Sequence, residues 1–325
     1  MTLSEFTLKR NAEKVLFTAG PASLLVENLT GLCPCFGRDD GHYEALEKQV
    51  LERLLLMTGH QQIVRLQGSA TLALEIAALN FLEGKVLVVS SGYYSGRLSE
   101  ICSTAQRMCG FVKNIQSVPW TDMANVSGAF DWIVACYTET SRGILLPIQQ
   151  LRHLADRTGA KLLLDATASI GLESDHDAAE VIAYSSCKGL FGLTGGAFIA
   201  YSTRPQNEVP SFYLRLETHV EKRVTGPYHA IASLSDVMDN HAFFRESVLL
   251  NKQKFILSMR NFLTQPDEYQ PKLCTHVSRK LKRTVDFAVT YTPRGVSQGS
   301  VVCHLGEAHL GARATGGILE LLEWD

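Results

Sequence analysis

Between residues 63 and 201 the sequence alternates short, continuously apolar segments with segments of helical periodicity. A strand that is apolar at every position is buried on both faces, which is typical of a mostly parallel sheet covered by helices. The pattern therefore predicts an α/β fold with a mostly parallel central sheet flanked by helices, and ligands beyond the carboxyl ends of the strands. The predicted strands are residues 63–66, 85–90, 132–137, 161–165, 181–185 and 197–201. The predicted helices are residues 43–57, 72–82, 98–108, 147–157, 228–238 and 243–262.

The order of elements changes after residue 201 and divides the chain into three predicted parts. Residues 1–15 form a polar N-terminal arm, residues 16–240 a large domain and residues 241–325 a small, abbreviated α+β domain. A chain of 325 residues with 46% hydrophobic residues is sufficient for one large or two unequal domains. The remaining predicted elements are strands at residues 284–291 and 299–304 and a closing helix at residues 318–324.

Charge and cysteine content exclude several classes of function. The net charge is −2 with acidic and basic residues interspersed, so no surface for nucleic acid or an anionic membrane is indicated. The 8 cysteines are scattered and form no pair of C-x-x-C units, which argues against a zinc site. The first residues lack an apolar signal core and no segment is long enough to span a bilayer, so we expect a cytoplasmic protein with reduced thiols.

Chemically distinctive residues follow four of the predicted strands. Tyr93 and Tyr94 follow one strand, residues 139–141 follow a second, Asp165 ends a third and Lys188 follows a fourth. Because the carboxyl ends of parallel strands meet at one edge of a sheet, we expect these side chains to lie close together. A purely structural sheet would not need all of them.

Lys188 follows a run of apolar and small residues and precedes Gly189, Gly192, Gly195 and Gly196, which leave room for a bulky planar ligand. A lysine becomes a nucleophile when desolvation or a nearby cation lowers its pKa, and it then commonly forms a Schiff base with a carbonyl cofactor or substrate. The alternative is a strand-end lysine whose stem is buried and whose amine reaches water.

The segment at residues 67–71 opens a predicted helix directly after an apolar strand. Unpaired backbone N–H groups, hydroxyls and the helix dipole at such a position favour an anion. Gly68, Ser69, Ala70 and Thr71 are therefore candidates for binding a phosphate. The alternative is that Ser69 is only the N-cap of the helix.

An aldehyde cofactor with a pyridine ring and a phosphate would account for all of these positions. Lys188 would hold it as a Schiff base and carry a proton between the substrate α-carbon and the cofactor. Asp165 would keep the ring nitrogen protonated, so that the ring can accept carbanion charge. Tyr94 would stack on the ring face. Taken singly, Asp165 could be a helix cap or turn residue and Tyr94 a core or interface residue.

Six motifs, in this order, resemble those of class V pyridoxal-phosphate-dependent aminotransferases, which have fold type I. Within that class the chain is most similar to the 2-aminoethylphosphonate–pyruvate and serine–pyruvate (alanine–glyoxylate) branch. Residues 37–40 (GRDD) are similar to an element of the aminoethylphosphonate members. The motifs are residues 16–21 (LFTAGP), 67–71 (QGSAT), 91–97 (SGYYSGR), 139–145 (ETSRGIL), 165–171 (DATASIG) and 185–188 (SSCK).

The resemblance implies pyridoxal 5'-phosphate as the cofactor, the large domain as its binding domain, and a homodimer with active sites at the subunit interface. Thr140 is then expected to hydrogen-bond a substituent of the cofactor ring, and Ser169 to lie near the phosphate end. Thr225 lies in a segment that, in the family, helps to hold the phosphate of the neighbouring subunit's cofactor. The implied reaction transfers an amino group from a small aminophosphonate or amino acid, such as 2-aminoethylphosphonate, to pyruvate or glyoxylate.

The sequence departs from the family at the arginine that binds the substrate carboxylate through two parallel hydrogen bonds. The matching position holds His304, so the candidates for binding substrate are His304, Arg313, Arg38 and Arg97, with simple packing as the alternative for His304. The missing arginine and the abbreviated small domain leave open a lyase or decarboxylase acting on a small amino acid or aminophosphonate with the same cofactor. A regulatory protein on this scaffold is a third alternative, since a fold alone does not establish activity.

Overall fold

The computed structural model describes residues 1–22, 24–34, 37, 39–222, 224–282, 287–296, 298–306 and 321–325. Its α-helices are α1 (Leu3–Asn11), α2 (Val26–Thr30), α3 (Gly41–Thr58), α4 (Ala70–Phe81), α5 (Tyr93–Cys109), α6 (Ile148–Thr158), α7 (Leu216–Glu221), α8 (Tyr228–Asp239) and α9 (His241–Met259). Its strands are β1 (Val15–Phe17), β2 (Gln62–Gln67), β3 (Gly84–Ser90), β4 (Val112–Pro119), β5 (Trp132–Cys136), β6 (Thr138–Glu139), β7 (Ile144–Leu145), β8 (Lys161–Asp165), β9 (Val181–Ser185), β10 (Gly196–Tyr201), β11 (Cys274–Val277), β12 (Leu281–Lys282), β13 (Ala288–Thr290), β14 (Ser300–Cys303) and β15 (Glu323–Trp324).

A seven-stranded sheet forms the centre of the fold, in the order β2-β10-β9-β8-β5-β3-β4. Strands β9, β8, β5, β3 and β4 pair in parallel, whereas β10 runs antiparallel to both of its neighbours, β2 and β9. Strands β5 and β9 are buried along their full length. The prediction of an α/β fold with a mostly parallel central sheet is confirmed.

Successive residues of each central strand contribute to two hydrophobic cores, one on each face of the sheet. In β3, Leu87 and Val89 belong to the core that includes residues of α3, α6 and α8. Val86 and Val88 belong to the core that includes residues of α4 and α5. Because side chains alternate across a strand, a strand that is apolar at every position can fill both cores.

Helix α4 is buried on nearly all sides. Leu74, Ile76 and Ala77 are each at most 1% exposed. Asn80 is also buried, and it donates to the carbonyl oxygen of Leu214 and accepts from the N–H of Leu216. A helix that is apolar all round lies either inside a protein or in a membrane. Within the described ranges, no helix is both long and apolar enough to cross a membrane.

Helix α5 begins earlier than periodicity predicts, at Tyr93 rather than at residue 98. Gly96 lies in its first turn, where glycine disfavours helix. The turn forms because the N–H groups of Tyr94 and Ser95 donate to the buried carboxylate of Glu139, which comes from β6. A contact this distant along the chain leaves no periodic signal.

Several elements are absent from the prediction, among them α1 and β4. The polar start forms α1, whose N-terminus is closed by a capping box between Thr2 and Glu5. Residues 112–119 form β4, which lies at the edge of the sheet and is largely exposed. Its polar composition follows from that edge position, because among the described strands β4 pairs only with β3.

The C-terminal part of the chain consists of α9 and short strand pairs. Strand β11 pairs antiparallel with β14, and β1 pairs in parallel with β13, so the start of the predicted large domain forms a sheet with a strand of the predicted small domain. The predicted closing helix at residues 318–324 is wrong at its end, because Glu323–Trp324 forms strand β15 against β12. Its first residues, 318–320, lie outside the described residues. The three-part division itself stays a prediction.

Candidate active site

A cavity of about 420 Å³ opens at the carboxyl ends of the central strands. It brings together the candidates Lys188, Asp165, Tyr94, Thr140 and Arg97 with the segment at residues 68–71. Because these residues come from separate strand ends, their meeting follows from the parallel order of the sheet. The residues that line it are Gly20, Pro21, Gly68, Ser69, Ala70, Thr71, Tyr94, Arg97, Cys136, Thr138, Thr140, Asp165, Thr167, Ala168, Ser185, Cys187, Lys188, Thr194 and Gly195.

Lys188 lies in the turn after β9, half-buried at the cavity wall. The N-terminal segment packs on its stem: a Cβ atom on Gly20 would lie 3.1 Å from Cγ of Lys188. Gly20 also has a φ of +118°, a backbone conformation that side chains rarely adopt. The N–H of Ala22 donates to the carbonyl oxygen of Cys187 at 2.6 Å, which fixes the two segments together. The stem of Lys188 is therefore packed against the N-terminal segment at the cavity wall.

Asp165 ends β8 and is only 2% exposed. Its Oδ1 accepts from the N–H of Thr167 at 2.9 Å, and its Oδ2 accepts from Nη2 of Arg97 at 3.4 Å. The guanidinium of Arg97 also lies 5.0 Å from the ring centroid of Tyr94. These contacts fix the carboxyl group of Asp165 at the cavity wall. Arg97 lines the cavity but is directed towards Asp165, and its role as a substrate ligand stays a prediction.

Glu139 fixes the start of α5, and with it Tyr94. The side chain is fully buried. Its Oε2 accepts from the N–H groups of Tyr94 at 3.0 Å and Ser95 at 3.1 Å, and its Oε1 accepts from the N–H of Ser141 at 3.2 Å. A carboxylate at a helix N-terminus is stabilised by these donors and by the helix dipole. Sequence analysis named Glu139 only as part of a motif, because its partners lie some 45 residues away.

The segment at residues 68–71 presents the N-terminus of the 12-residue helix α4 to the cavity. Ser69 has the extended backbone of an N-cap residue, with φ −94° and ψ 164°, but its side chain makes no capping hydrogen bond. The hydroxyl is therefore not committed to the helix. Unpaired N–H groups, this hydroxyl and that of Thr71 together form a site suited to an anion.

Three buried polar atoms of cavity-lining residues have no hydrogen-bond partner: Oγ1 of Thr138, Oγ1 of Thr167 and Nε of Arg97. A buried donor left without an acceptor costs about 1–3 kcal/mol, so such groups are normally satisfied. Because all three atoms are buried, they lie behind the surface of the open cavity and do not face it.

The structure places three candidates away from the cavity wall. Ser169 is fully buried, where its hydroxyl donates to the carbonyl oxygen of Ala166 and lies 2.9 Å from Nε2 of His176. Thr225 is exposed, and His304 is buried in the C-terminal part. The remaining two candidates, Arg38 and Arg313, lie outside the described residues.

His304 packs inside the C-terminal part of the chain. It is 0% exposed, its Nε2 lies 3.0 Å from Oγ1 of Thr275, and its ring centroid lies 5.4 Å from that of Phe255. Burial, with a smaller contribution from Lys252, lowers the pKa of His304 to about 3. These contacts agree with the packing alternative.

Acidification is expected to destabilise the protein through its buried histidines. Burial also lowers the pKa of His176 to about 4, from an ordinary 6.5. At pH 5 the unfolded chain binds protons at His176 and His304 that the folded chain does not, so the free energy of unfolding falls as the pH drops from 7 towards the folded pKa values. The expected loss at pH 5 is about 2 kcal/mol for each histidine. Denaturant unfolding at several pH values measures it, and a slope that His304→Gln leaves unchanged would contradict the assignment.

Several lining residues were not singled out in the sequence as binding residues. Three of them lie within three residues of a predicted site residue, namely Thr138, Thr167 and Cys187. Their closeness to the motifs was therefore the available sequence signal that they line the cavity. Gly20 and Pro21 belong to the first motif, whose place against Lys188 could not be deduced from local pattern. The contact depends on how the N-terminal segment crosses the sheet edge.

Comparison with known proteins gives two kinds of relative. No family model matches the chain. The 2-aminoethylphosphonate–pyruvate transaminase of Pseudomonas aeruginosa is 28% identical over 251 residues, which cover 70% of this chain and 68% of that protein. The structure of an alanine–glyoxylate aminotransferase from Nostoc sp. has a TM-score of 0.77 at 18% identity and covers 95% of this chain and 93% of its own. That of a pyridoxamine–pyruvate aminotransferase from Mesorhizobium loti has a TM-score of 0.77 at 20% identity, with 94% and 90% covered.

These likenesses confirm two predictions. The structural neighbours confirm the fold class over nearly the whole chain. The sequence relative confirms the resemblance that the six motifs indicated.

Proposed function

We propose that this protein is a pyridoxal-phosphate-dependent aminotransferase, and that its amino donor is a small aminophosphonate or amino acid resembling 2-aminoethylphosphonate, with pyruvate or glyoxylate as acceptor. The observation that carries the proposal is the meeting of Lys188, Asp165 and the N-terminus of α4 on one cavity. The relatives and structural neighbours, all named aminotransferases, support the reaction class. They do not favour the lyase or decarboxylase alternative.

The cavity residues fit the cofactor. A cavity of about 420 Å³ has room for a substituted pyridine ring and a phosphate. The α4 N-terminus and the hydroxyls of Ser69 and Thr71 would hold the phosphate, and Tyr94 would cover the ring.

Pyridoxal phosphate supplies an aldehyde that condenses with amines and a ring that accepts carbanion charge. The protein's own part lies in three groups. Nζ of Lys188 would bind the aldehyde carbon and later carry the proton that leaves the substrate carbon next to nitrogen. The carboxylate of Asp165 would hold a proton on the ring nitrogen, and Arg97 contacts that carboxylate and helps to fix its position.

The donor preference rests on the sequence relatives, which are named for 2-aminoethylphosphonate and pyruvate. An aminophosphonate carries a doubly charged anionic group, which a guanidinium binds well. Among the cavity-lining residues that the structure describes, Arg97 supplies the guanidinium. Its Nη2 pairs with Asp165, and its side chain remains partly exposed at the cavity wall.

We also propose that the enzyme is a cytoplasmic homodimer. Thr225 is exposed and away from its own cavity, as a residue serving a second copy would be. Its segment is anchored by Arg65, whose Nη1 donates to the carbonyl oxygen of Val224 at 3.0 Å. A Cβ atom on Gly226 would lie 2.8 Å from Nε of Arg65, so the segment lies directly on the guanidinium.

The function is tested with purified protein loaded with pyridoxal phosphate. Adding 2-aminoethylphosphonate should bleach the near-visible absorbance band, and pyruvate should restore it while alanine forms in equal amount to the amine consumed. Ethanolamine, which lacks the phosphonate, should be a poor donor, and serine tests the amino-acid branch. Keto or aldehyde product formed without any acceptor, in amounts well above one equivalent of enzyme, would establish the lyase or decarboxylase reaction instead, because an aminotransferase converts only one equivalent of amine before it needs an acceptor.

A further inference from the structure

Tyr291 lies immediately after β13 and is tied to the N-terminal strand. Its N–H donates to the carbonyl oxygen of Phe17 at 3.2 Å, next to the register pair Phe17 and Thr290 of the β1–β13 ladder. The side chain is half-buried. The backbone of Tyr291 is thus placed by a strand pair outside the central sheet.

The hydroxyl of Tyr291 reaches two residues of the cavity wall. It lies 3.4 Å from the hydroxyl of Tyr94, and the side chain of Thr140 lies beside it. Burial, and then the neighbouring Tyr94, raise the pKa of Tyr291, so its hydroxyl keeps its proton throughout the ordinary pH range. Tyr291 is not itself part of the wall, and it can act on a ligand only through these two residues.

Tyr94 is held from several directions. Glu139 fixes its backbone N–H, and Arg97 lies over its ring at 5.0 Å. The neighbouring Tyr93 meets it edge to face at 5.4 Å, and Tyr93 is bound in turn by Arg294, whose Nη1 donates to its hydroxyl at 3.1 Å. The segment 291–294 therefore contacts both tyrosines at the start of α5.

We propose that Tyr291 is a positioning residue, which joins Tyr94 to Thr140 and so fixes the orientation of the aromatic platform for the cofactor ring. This inference rests on the proposed function, because it takes Tyr94 and Thr140 as neighbours of that ring. It explains how the C-terminal part of the chain contributes to a site whose described lining residues all lie between Gly20 and Gly195. A ring that can tilt loses the alignment on which carbanion stabilisation depends.

The test is Tyr291→Phe, which removes only the hydroxyl. Loss of one hydrogen bond in a positioning contact should lower kcat about 2- to 10-fold, with a smaller change in KM. The near-visible circular dichroism of the bound cofactor should decrease, because that signal depends on a fixed ring orientation, while thermal unfolding stays nearly unchanged. Tyr213→Phe is the matched control: this tyrosine is 42% exposed and does not line the cavity, so the variant should preserve the dichroism.

The coupling to Tyr94 gives a second readout. Tyr94→Phe should reduce the dichroism similarly, and the double variant should lose little more than either single one, because both substitutions remove the same contact. Fully additive losses, or a dichroism and kcat unaffected by Tyr291→Phe, would overturn the proposal. These outcomes are separable from failure of the function itself, in which the unaltered protein would show no cofactor band at all.

Discussion

Lys188→Ala is expected to abolish the near-visible absorbance band of the cofactor-loaded protein and to lower turnover by at least about 10³-fold. The reason is that one amine is proposed both to bind the aldehyde and to move the substrate proton. In the structure Lys188 lies at the cavity wall. Gly20 and Ala22 lie close to the turn that carries it, so another group has little space to take its place.

Two further variants test whether a positive charge at residue 188 is sufficient and whether the loss of any lysine has the same effect. Lys188→Arg keeps a positive charge but cannot form the bond to the aldehyde under these conditions, so it should behave like Lys188→Ala. Lys48→Ala removes a lysine whose side chain is 77% exposed and should keep both band and turnover. A band that survives in both Lys188 variants would show that the cofactor is bound elsewhere.

Asp165→Asn is expected to lower kcat by about 10²–10³-fold, the usual effect of removing one electrostatic stabiliser of developing charge. The amide is similar in shape but carries no charge to hold a proton on the ring nitrogen. Oδ2 of Asp165 lies 3.4 Å from Nη2 of Arg97, so the substitution also leaves Arg97 facing a neutral amide. We expect a weaker affinity for the cofactor as well, measured by titration of the apoprotein.

A cofactor analogue methylated on the ring nitrogen shows whether the loss of kcat comes from the electronic state of the ring or from a change in the cavity wall. Its permanent positive charge does not depend on Asp165, so it should restore part of the lost kcat in Asp165→Asn while remaining poor with the unaltered protein. If the analogue restores nothing although it binds, Asp165 supports the cavity wall rather than the electronic state of the ring.

The central sheet was predictable because its signal is local and strong. Each buried strand is apolar at every position, as in Val86 to Val89, and no other environment suits such a segment as well. Once the strands are parallel, the order of the sheet brings Asp165 and Lys188 to one edge, so the placement of both in one cavity followed from pattern and topology together.

Other features depend on contacts that leave no periodic trace. The early start of α5 relies on the carboxylate of Glu139, and the position of Tyr291 relies on β1 pairing with β13. Strand β15 was mistaken for the end of a helix because two residues paired with β12 are too few to show alternation. In each case the deciding partner lies far away in the chain.

His304 illustrates the limit of transferring a residue by position. A strand alignment indicates which residue stands at a site, but the environment of its side chain depends on packing. Here the imidazole lies among Phe255, Thr275 and Lys252 rather than at the cavity.

The most direct test of the account is to find which residue carries the cofactor. Reducing the loaded protein with borohydride fixes the carbon–nitrogen bond, and mass spectrometry of the digested protein then locates the added group. We predict a single modified peptide, with the group on Nζ of Lys188. Modification of a different lysine, or of none while the absorbance band is present, would contradict the assignment of this cavity as the active site.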